Sequence, residues 1–315
     1  MRPVELFIAL ILDGLLGEPR GWHPLVAYGY FARRVERLLN ISTAGEPPRR
    51  IQTMMSYCRG SLAVLLATAP IVLLFDMGLR LRVIAPLLST ATLYMVIGHR
   101  SLHEHARAVE RELNRNDLEA ARRRVGMLVS RDTHDMDAHR ISAATVESIL
   151  ENGNDALFGG LFWFMVAGGP GALAYRLLNT LDAMWGYRTE RYRHFGWAAA
   201  RADDLANLIP ARLTALSYAI VGRTKIGLRC WHAQAPRWDS PNAGPVMASG
   251  AGALGVQLGG GAFYHGEWRE RPVLGEGRAA GRADISRAEQ LLLRALALWV
   301  FTLFLVSGLT GWLHA

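Results

Sequence analysis

Charge is missing from several stretches of this chain, and that absence limits its possible folds more than any other feature. Residues 291–313 are apolar except for Arg294, and a membrane span needs about 20 mostly apolar residues. Residues 61–75 and 83–98 carry no charge and reach that length with their flanks. Residues 156–175 are also uncharged but are broken by Gly168-Gly169-Pro170-Gly171, as in a broken or re-entrant helix. Residues 4–16 form a marginal span interrupted by Glu5, Asp13 and Gly14, without the basic leader and small-residue cleavage site of a signal peptide. Residues 205–221 hold Asn207, Pro210 and Arg212, and read as either a bundle-lining span or an interfacial helix. One such segment could be a buried soluble helix; several in one chain make a membrane protein. The expected fold class is all-α, a polytopic integral membrane helical bundle with cytoplasmic loops and amphipathic helices, forming a single domain over residues 1–315.

Average composition conceals this pattern. Across 315 residues, 51% are apolar and 20% charged, close to a soluble protein at about 45–50% and 25%. That balance excludes a disordered chain and a collagen-like repeat. Cys58 and Cys230 are too few for a disulfide framework and form no CxxC pair. The net charge is +8, and Lys225 is the only lysine among 35 basic residues. The arginines are dispersed over several loops without a recognisable binding module, which argues against nucleic acid. Their distribution instead follows the positive-inside rule, with residues 18–59 and 99–155 cytoplasmic and the N-terminus outside.

Apolar spacing predicts one long amphipathic helix over residues 100–127, with Arg122-Arg123-Arg124 as a solvated or lipid-headgroup face. His99 and His103 could share a face of that helix but lack further zinc ligands. Residues 222–288 are rich in Gly and Pro and read as a loop-dominated extramembrane segment.

Four polar clusters could carry chemistry. Glu147, Glu151 and Asp155 are four apart and fall on one face if the helix continues through Gly153. Three carboxylates near Asn152 suit an oxygen-only Mg²⁺ site, or a solvent-facing helix paired with arginines such as Arg140. Arg131-Asp132-Thr133 lies just upstream. Arg201, Asp203, Asp204 and Asn207 open the ambiguous fifth segment, where acids also suit helix capping. Asp13, with Gly17-Glu18-Pro19 and His23-Pro24, ends the first span, and an aspartate in an apolar stretch is a functional candidate. Ser240-Pro241-Asn242-Ala243-Gly244 resembles a helix start. Gly259-Gly260-Gly261, which follows, would let a backbone approach a phosphate or planar ligand, or pack tightly in a membrane. His23, His134 and His194 lie inside polar clusters, each a proton acceptor or a hydrogen-bonded loop residue.

Taken in order, these blocks resemble the CobD/CbiB family, the adenosylcobinamide-phosphate synthases of cobalamin biosynthesis. The resemblance begins at Asp13-Gly14-Leu15-Leu16-Gly17-Glu18-Pro19 and runs through Arg131-Asp132-Thr133 and Glu147-Ser148-Ile149-Leu150-Glu151-Asn152. It continues through Gly168-Gly169-Pro170-Gly171, Asn179-Thr180-Leu181-Asp182, Tyr187-Arg188 and Arg201-Ala202-Asp203-Asp204. Ser240-Pro241-Asn242-Ala243-Gly244 completes it, whereas residues 41–125 contribute little beyond hydrophobic character. After Asp155, Ala156-Leu157-Phe158-Gly159-Gly160 departs from the family pattern.

The resemblance implies a membrane ligase in the bacterial inner (cytoplasmic) membrane with a cytoplasmic active site. It would use ATP and Mg²⁺ to join aminopropanol, or its O-phosphate, to the propionate carboxylate of adenosylcobyric acid. Membrane lipid and other late corrinoid-assembly enzymes are the implied partners. On this reading Glu147, Glu151 and Asp204 are catalytic, with Glu147, Glu151 and Asp155 on the metal. Asp13 or His23 accepts the ammonium proton. Arg131, Arg188 and Arg201 neutralise phosphate or propionate, while Asp132, Asp203, Asn207, Ser240, Asn242 and Gly244 line the substrate sites. A transporter, or a catalytically silent interaction protein of the same fold, is the competing expectation.

Overall fold

Where the sequence has no charge, the backbone can satisfy its polar groups only internally, and helices result. The computed structural model describes residues 2–19, 23–41, 50–81, 83–187, 189–264 and 266–313. The chain begins with α1 (Arg2–Leu16), α2 (Pro24–Leu39), α3 (Arg50–Leu79) and α4 (Ala85–Val96). Next come α5 (His99–Asn114), α6 (Leu118–Val125) and α7 (Ala138–Gly153), and a π-turn over Asn154–Phe158 leads into α8 (Gly159–Trp185). After α9 (Trp197–Val221), α10 (Thr224–Gln234) and α11 (Ala243–Leu254) come the short strands β1 (Val256–Gly259), β2 (Ala262–Tyr264) and β3 (Glu267–Arg269). The remaining strands are β4 (Val273–Gly275) and β5 (Arg278–Ala279), before the last helix, α12 (Ala283–Leu313).

Among the described residues, three helical stretches are long and apolar enough to cross a membrane: Arg50–Leu79, Ala138–Trp185 and Ala283–Ser307. The first and third leave large apolar side chains uncovered, including Leu65, Leu73 and Leu74 on α3 and Phe301 and Leu305 on α12. Contiguous exposed apolar surface of that kind suits lipid. The marginal span expected at 4–16 lies wholly within α1, whereas the span expected at 83–98 is shortened. α1 has 15 residues and α4 only 12, because Pro86 fixes the start of α4 and Ile97 turns extended at its end. The break anticipated in 156–175 is a kink: Gly168 adopts φ 70° inside α8, a value open to glycine at little cost.

Two compact units arise, residues 1–97 with 159–207 and residues 98–158 with 208–315. In the first, α2, α3 and α8 meet around Tyr28, Val64, Leu181, Trp185 and Phe195. Small residues on α3, namely Gly60, Ala63 and Ala67, permit the close approach. Trp185 and Phe195 stack edge to face at 5.3 Å. Glu36, buried on α2, is held by Arg191, with Nη2 at 2.6 Å.

The second unit corrects two expectations. The helix predicted over 100–127 is two helices, α5 and α6. Asn116 between them takes φ 57°, and the Asp117 side chain caps α6 by accepting from Ala120 N–H at 2.9 Å. The segment predicted as loop-dominated holds α10, α11 and a small sheet of order β4-β1-β5, so the fold is mostly but not purely helical. β1 pairs antiparallel with β4 and parallel with β5, while β2 and β3 form a separate hairpin. α12 is fastened to this sheet by Asp284, fully buried, which accepts from Arg278 at 2.6 Å and Arg287 at 2.5 Å. It is tied to α5 through Glu289, which meets His103 at 3.0 Å and Arg107 at 2.9 Å.

A Cβ at Gly60 would run into the carbonyl of Phe195. Gly60→Val is therefore expected to cost about 1–3 kcal/mol, the usual range for overpacking. Thermal unfolding of the detergent-solubilised protein checks this, with Leu65→Ala on the exposed face of the same helix expected to leave the transition unchanged.

Candidate functional site

A buried carboxylate without partners would destabilise its surroundings by several kcal/mol, so the surroundings of Glu147 reveal what its segment is built to hold. α7 starts at an Asp137 cap, whose side chain accepts from Arg140 N–H at 2.8 Å. From there the helix carries Glu147 inward to 2% exposure. Glu147 Oε2 accepts from Arg131 Nη2 and from Arg271 Nη2, the latter at 2.7 Å. Oε1 accepts from the Gly259 N–H at 2.8 Å. One carboxylate thus joins α7, the loop after α6, the end of β1 and the β3–β4 connection. Arg271 is braced from behind: its guanidinium lies 4.7 Å over the Trp238 ring, and Nη1 donates to the Tyr264 hydroxyl at 3.3 Å. Burial works against the charge on Arg271, yet Glu147 and Tyr264 hold its pKa above the ordinary arginine value.

Beside this hub lies a cavity of about 270 Å³. Arg131, Glu147 and the glycines 259–261 form part of its wall, facing Arg140 and Trp268. Asp132 shapes it by fastening the β2–β3 hairpin. Its N–H donates to the Phe263 carbonyl at 2.9 Å, and its Oδ2 accepts from Gly266 N–H at 2.7 Å. Phe263 and Trp268 stack edge to face at 5.0 Å, and the Arg140 guanidinium lies 5.8 Å from the Trp268 ring. A Cβ at Gly261 would strike that indole. Two of the three glycine donors are spent within the protein, Gly259 N–H on Glu147 and Gly260 N–H on the Pro272 carbonyl. Cations at Arg131 and Arg140, with Asp132, His134 and Asp135, make the wall suited to a small molecule bearing charges of both signs.

The predicted metal set is not assembled. Among the described residues, no group of three or more His, Cys, Asp or Glu side chains is placed to hold a metal ion. Both oxygens of Glu147 are committed to the arginines and Gly259. Glu151 is half-buried one turn further on, and Asp155 falls in the π-turn, where it accepts from Asn154 Nδ2 at 2.9 Å. The π-turn ends the four-residue repeat that placed these acids on one face. These residues therefore do not fit a Mg²⁺ ligand set.

Ser240, Asn242 and Gly244 build a helix start rather than a cavity wall. Ser240 Oγ accepts from the N–H groups of Asn242 and Ala243 at 3.3 and 3.1 Å. Asn242 Oδ1 accepts from Arg212 at 2.6 Å, and Gly244 leaves room for Ala235 and Trp238. They contribute by setting Trp238, and through it Arg271. The remaining candidates belong to the first unit. There Asp203 accepts from Asn179 at 3.3 Å and from Asn207 at 3.2 Å, and Arg201 pairs with Asp204 at 3.1 Å. Asp13 is buried on α1. His23 caps α2, its Nδ1 accepting from Leu25 N–H at 3.2 Å. Burial lowers the His23 pKa, with Glu18 opposing and Arg176 reinforcing that shift. Arg188 lies outside the described residues.

Sequence reasoning missed Arg271, Trp238 and Trp268. Arg271 reaches Glu147 across 124 positions, a separation that no local spacing reveals. Replacing Asp132 by Ala removes the side-chain anchor of the hairpin, so trypsin is expected to cleave after exposed Arg269 several-fold faster than in the parent, as read by mass spectrometry under native conditions.

The family model described as CobD/Cbib protein matches residues 6–292. The chain is 52% identical over 309 residues to the cobalamin biosynthesis protein CobD of Chromobacterium violaceum, covering 98% of this chain and 97% of that one. It is 52% identical to the protein of the same name from Stutzerimonas stutzeri, over 98% and 97% of the two chains. Against that of Mycobacterium tuberculosis the identity is 38%, over 91% and 90%. No solved structure matches.

Proposed function

We propose, from the premise that this chain belongs to the CobD/CbiB family, that it serves cobalamin biosynthesis as an amide-forming ligase in the cytoplasmic membrane. The observation that carries this is the small cavity of mixed charge beside the Glu147 hub. At about 270 Å³ it lies just below the range of about 300–1,000 Å³ typical of drug-sized ligands. It therefore suits the amino alcohol rather than a whole corrinoid.

In this reading the phosphate of aminopropanol phosphate lies between Arg131 and Arg140, and the ammonium faces Asp132 and Asp135. The propionate carboxylate of adenosylcobyric acid must be activated, since an amide does not form from a free carboxylate in water. A carboxylate oxygen attacks the γ-phosphorus of ATP, ADP leaves, and an acyl phosphate results. The amine nitrogen then attacks the acyl carbon, its proton passes to a base, and inorganic phosphate departs. His134, on the cavity wall and 3.4 Å from Asp135, is the base within reach of that nitrogen. Arg131 and Arg140 hold the amine substrate's own phosphate and fix the direction of attack. Glu147 keeps Arg131 and the β1 end in position and carries no metal.

Purified protein supplied with adenosylcobyric acid, aminopropanol phosphate, ATP and magnesium is expected to form one ADP per amide. Arg140→Ala is expected to raise KM for the phosphorylated amine about tenfold, the size of a lost charge-assisted contact, with a smaller effect on kcat. Absence of amide product together with substrate flux in proteoliposomes would favour a transporter.

A further inference from the structure

Arg271 does not line the cavity, yet it shares the carboxylate that holds Arg131, which does. The charge balance explains why two arginines are needed. Glu147 is 2% exposed, and each guanidinium is 12% exposed. With Arg131 alone, the pair would be neutral and would present little attraction to an anion. Counting Glu147 and the two arginines alone, the cluster carries one net positive charge. Arg271 stands behind the cavity wall, its guanidinium spread over Trp238 and its Nη1 engaged by Tyr264. The unspent charge therefore faces the cavity through Arg131.

We infer that Arg271 is a positioning residue that takes up the charge of Glu147 and so leaves Arg131 cationic toward the ligand. The inference rests on the cavity being the site of an anionic ligand, as proposed above. It assigns Arg271 a role through electrostatics and not only through support of the loop. Those two roles give opposite results when Glu147 is neutralised along with Arg271. Loss of support is cumulative, whereas charge balance is restored because Arg131 again has no carboxylate to offset.

The test measures binding of inorganic phosphate by calorimetry to the full-length protein in detergent, with unfolding temperatures recorded for each variant. Arg271→Gln is expected to weaken phosphate binding about tenfold, whereas Arg271→Lys keeps it within about threefold, since the charge remains. The double variant Glu147→Gln with Arg271→Gln, although it also loses the Glu147 anchor, is expected to bind phosphate several-fold more tightly than Arg271→Gln alone. In ligation assays, Arg271→Gln raises KM for the phosphorylated amine but not for its unphosphorylated analogue. If Arg271→Gln is not recovered folded, the double variant, which buries no unpaired carboxylate, decides the matter. Binding by Arg271→Gln equal to the parent, or a double variant as weak as or weaker than the single one, would overturn the inference while leaving the cavity assignment intact. A parent protein that binds no phosphate would overturn both.

Discussion

The cavity wall in the second unit depends on the buried carboxylate of Glu147. Removing an ion from water is costly, and the cost is offset only where geometry and hydrogen bonding are good. Glu147 receives two guanidinium groups and one backbone N–H, so every segment that supplies a donor is held to α7. The end of β1 must approach closely enough for Gly259 to donate, which requires φ +79° at that glycine and the carbonyl of Pro272 in the space a side chain would occupy. The sheet, the glycine turn and the cavity wall follow from one ion cluster.

Arginine is the residue for such a design. Its planar guanidinium remains charged when buried and donates to two acceptors at once. The pattern recurs at Asp284, held by Arg278 and Arg287. The predominance of arginine among the basic residues therefore has a structural cause beyond the sidedness of loops. On α3 and α12 the opposite demand applies: large apolar side chains remain uncovered, as a lipid environment permits.

Features with local causes were legible in the sequence. The uncharged stretches at 61–75, 156–175 and 291–313 lie in the long helices α3, α8 and α12, and the Gly168 break became a kink. Asp203 with Asn207 also appears as a hydrogen bond, as their spacing implied. What was not legible depends on long-range pairing or on a single backbone conformation. Asn116 splits the amphipathic helix by entering the left-handed region. The strands of 256–279 are only two to four residues long, too short for an alternating pattern to appear among the glycines and prolines. The π-turn at Asn154–Phe158 disrupts the carboxylate repeat that suggested a metal. Arg271 meets Glu147 only because β1 through β4 fold back onto α7.

On the proposed function, the amine substrate occupies the cavity between Arg131, Arg140 and the glycine turn. Hydrogen–deuterium exchange of the detergent-solubilised protein, with and without aminopropanol phosphate, tests it most directly. Exchange is expected to slow in residues 129–141 and 257–270, with the first unit unchanged. Protection confined to residues 175–207, around Asp203 and Asn207, with none at the glycine turn, would contradict it.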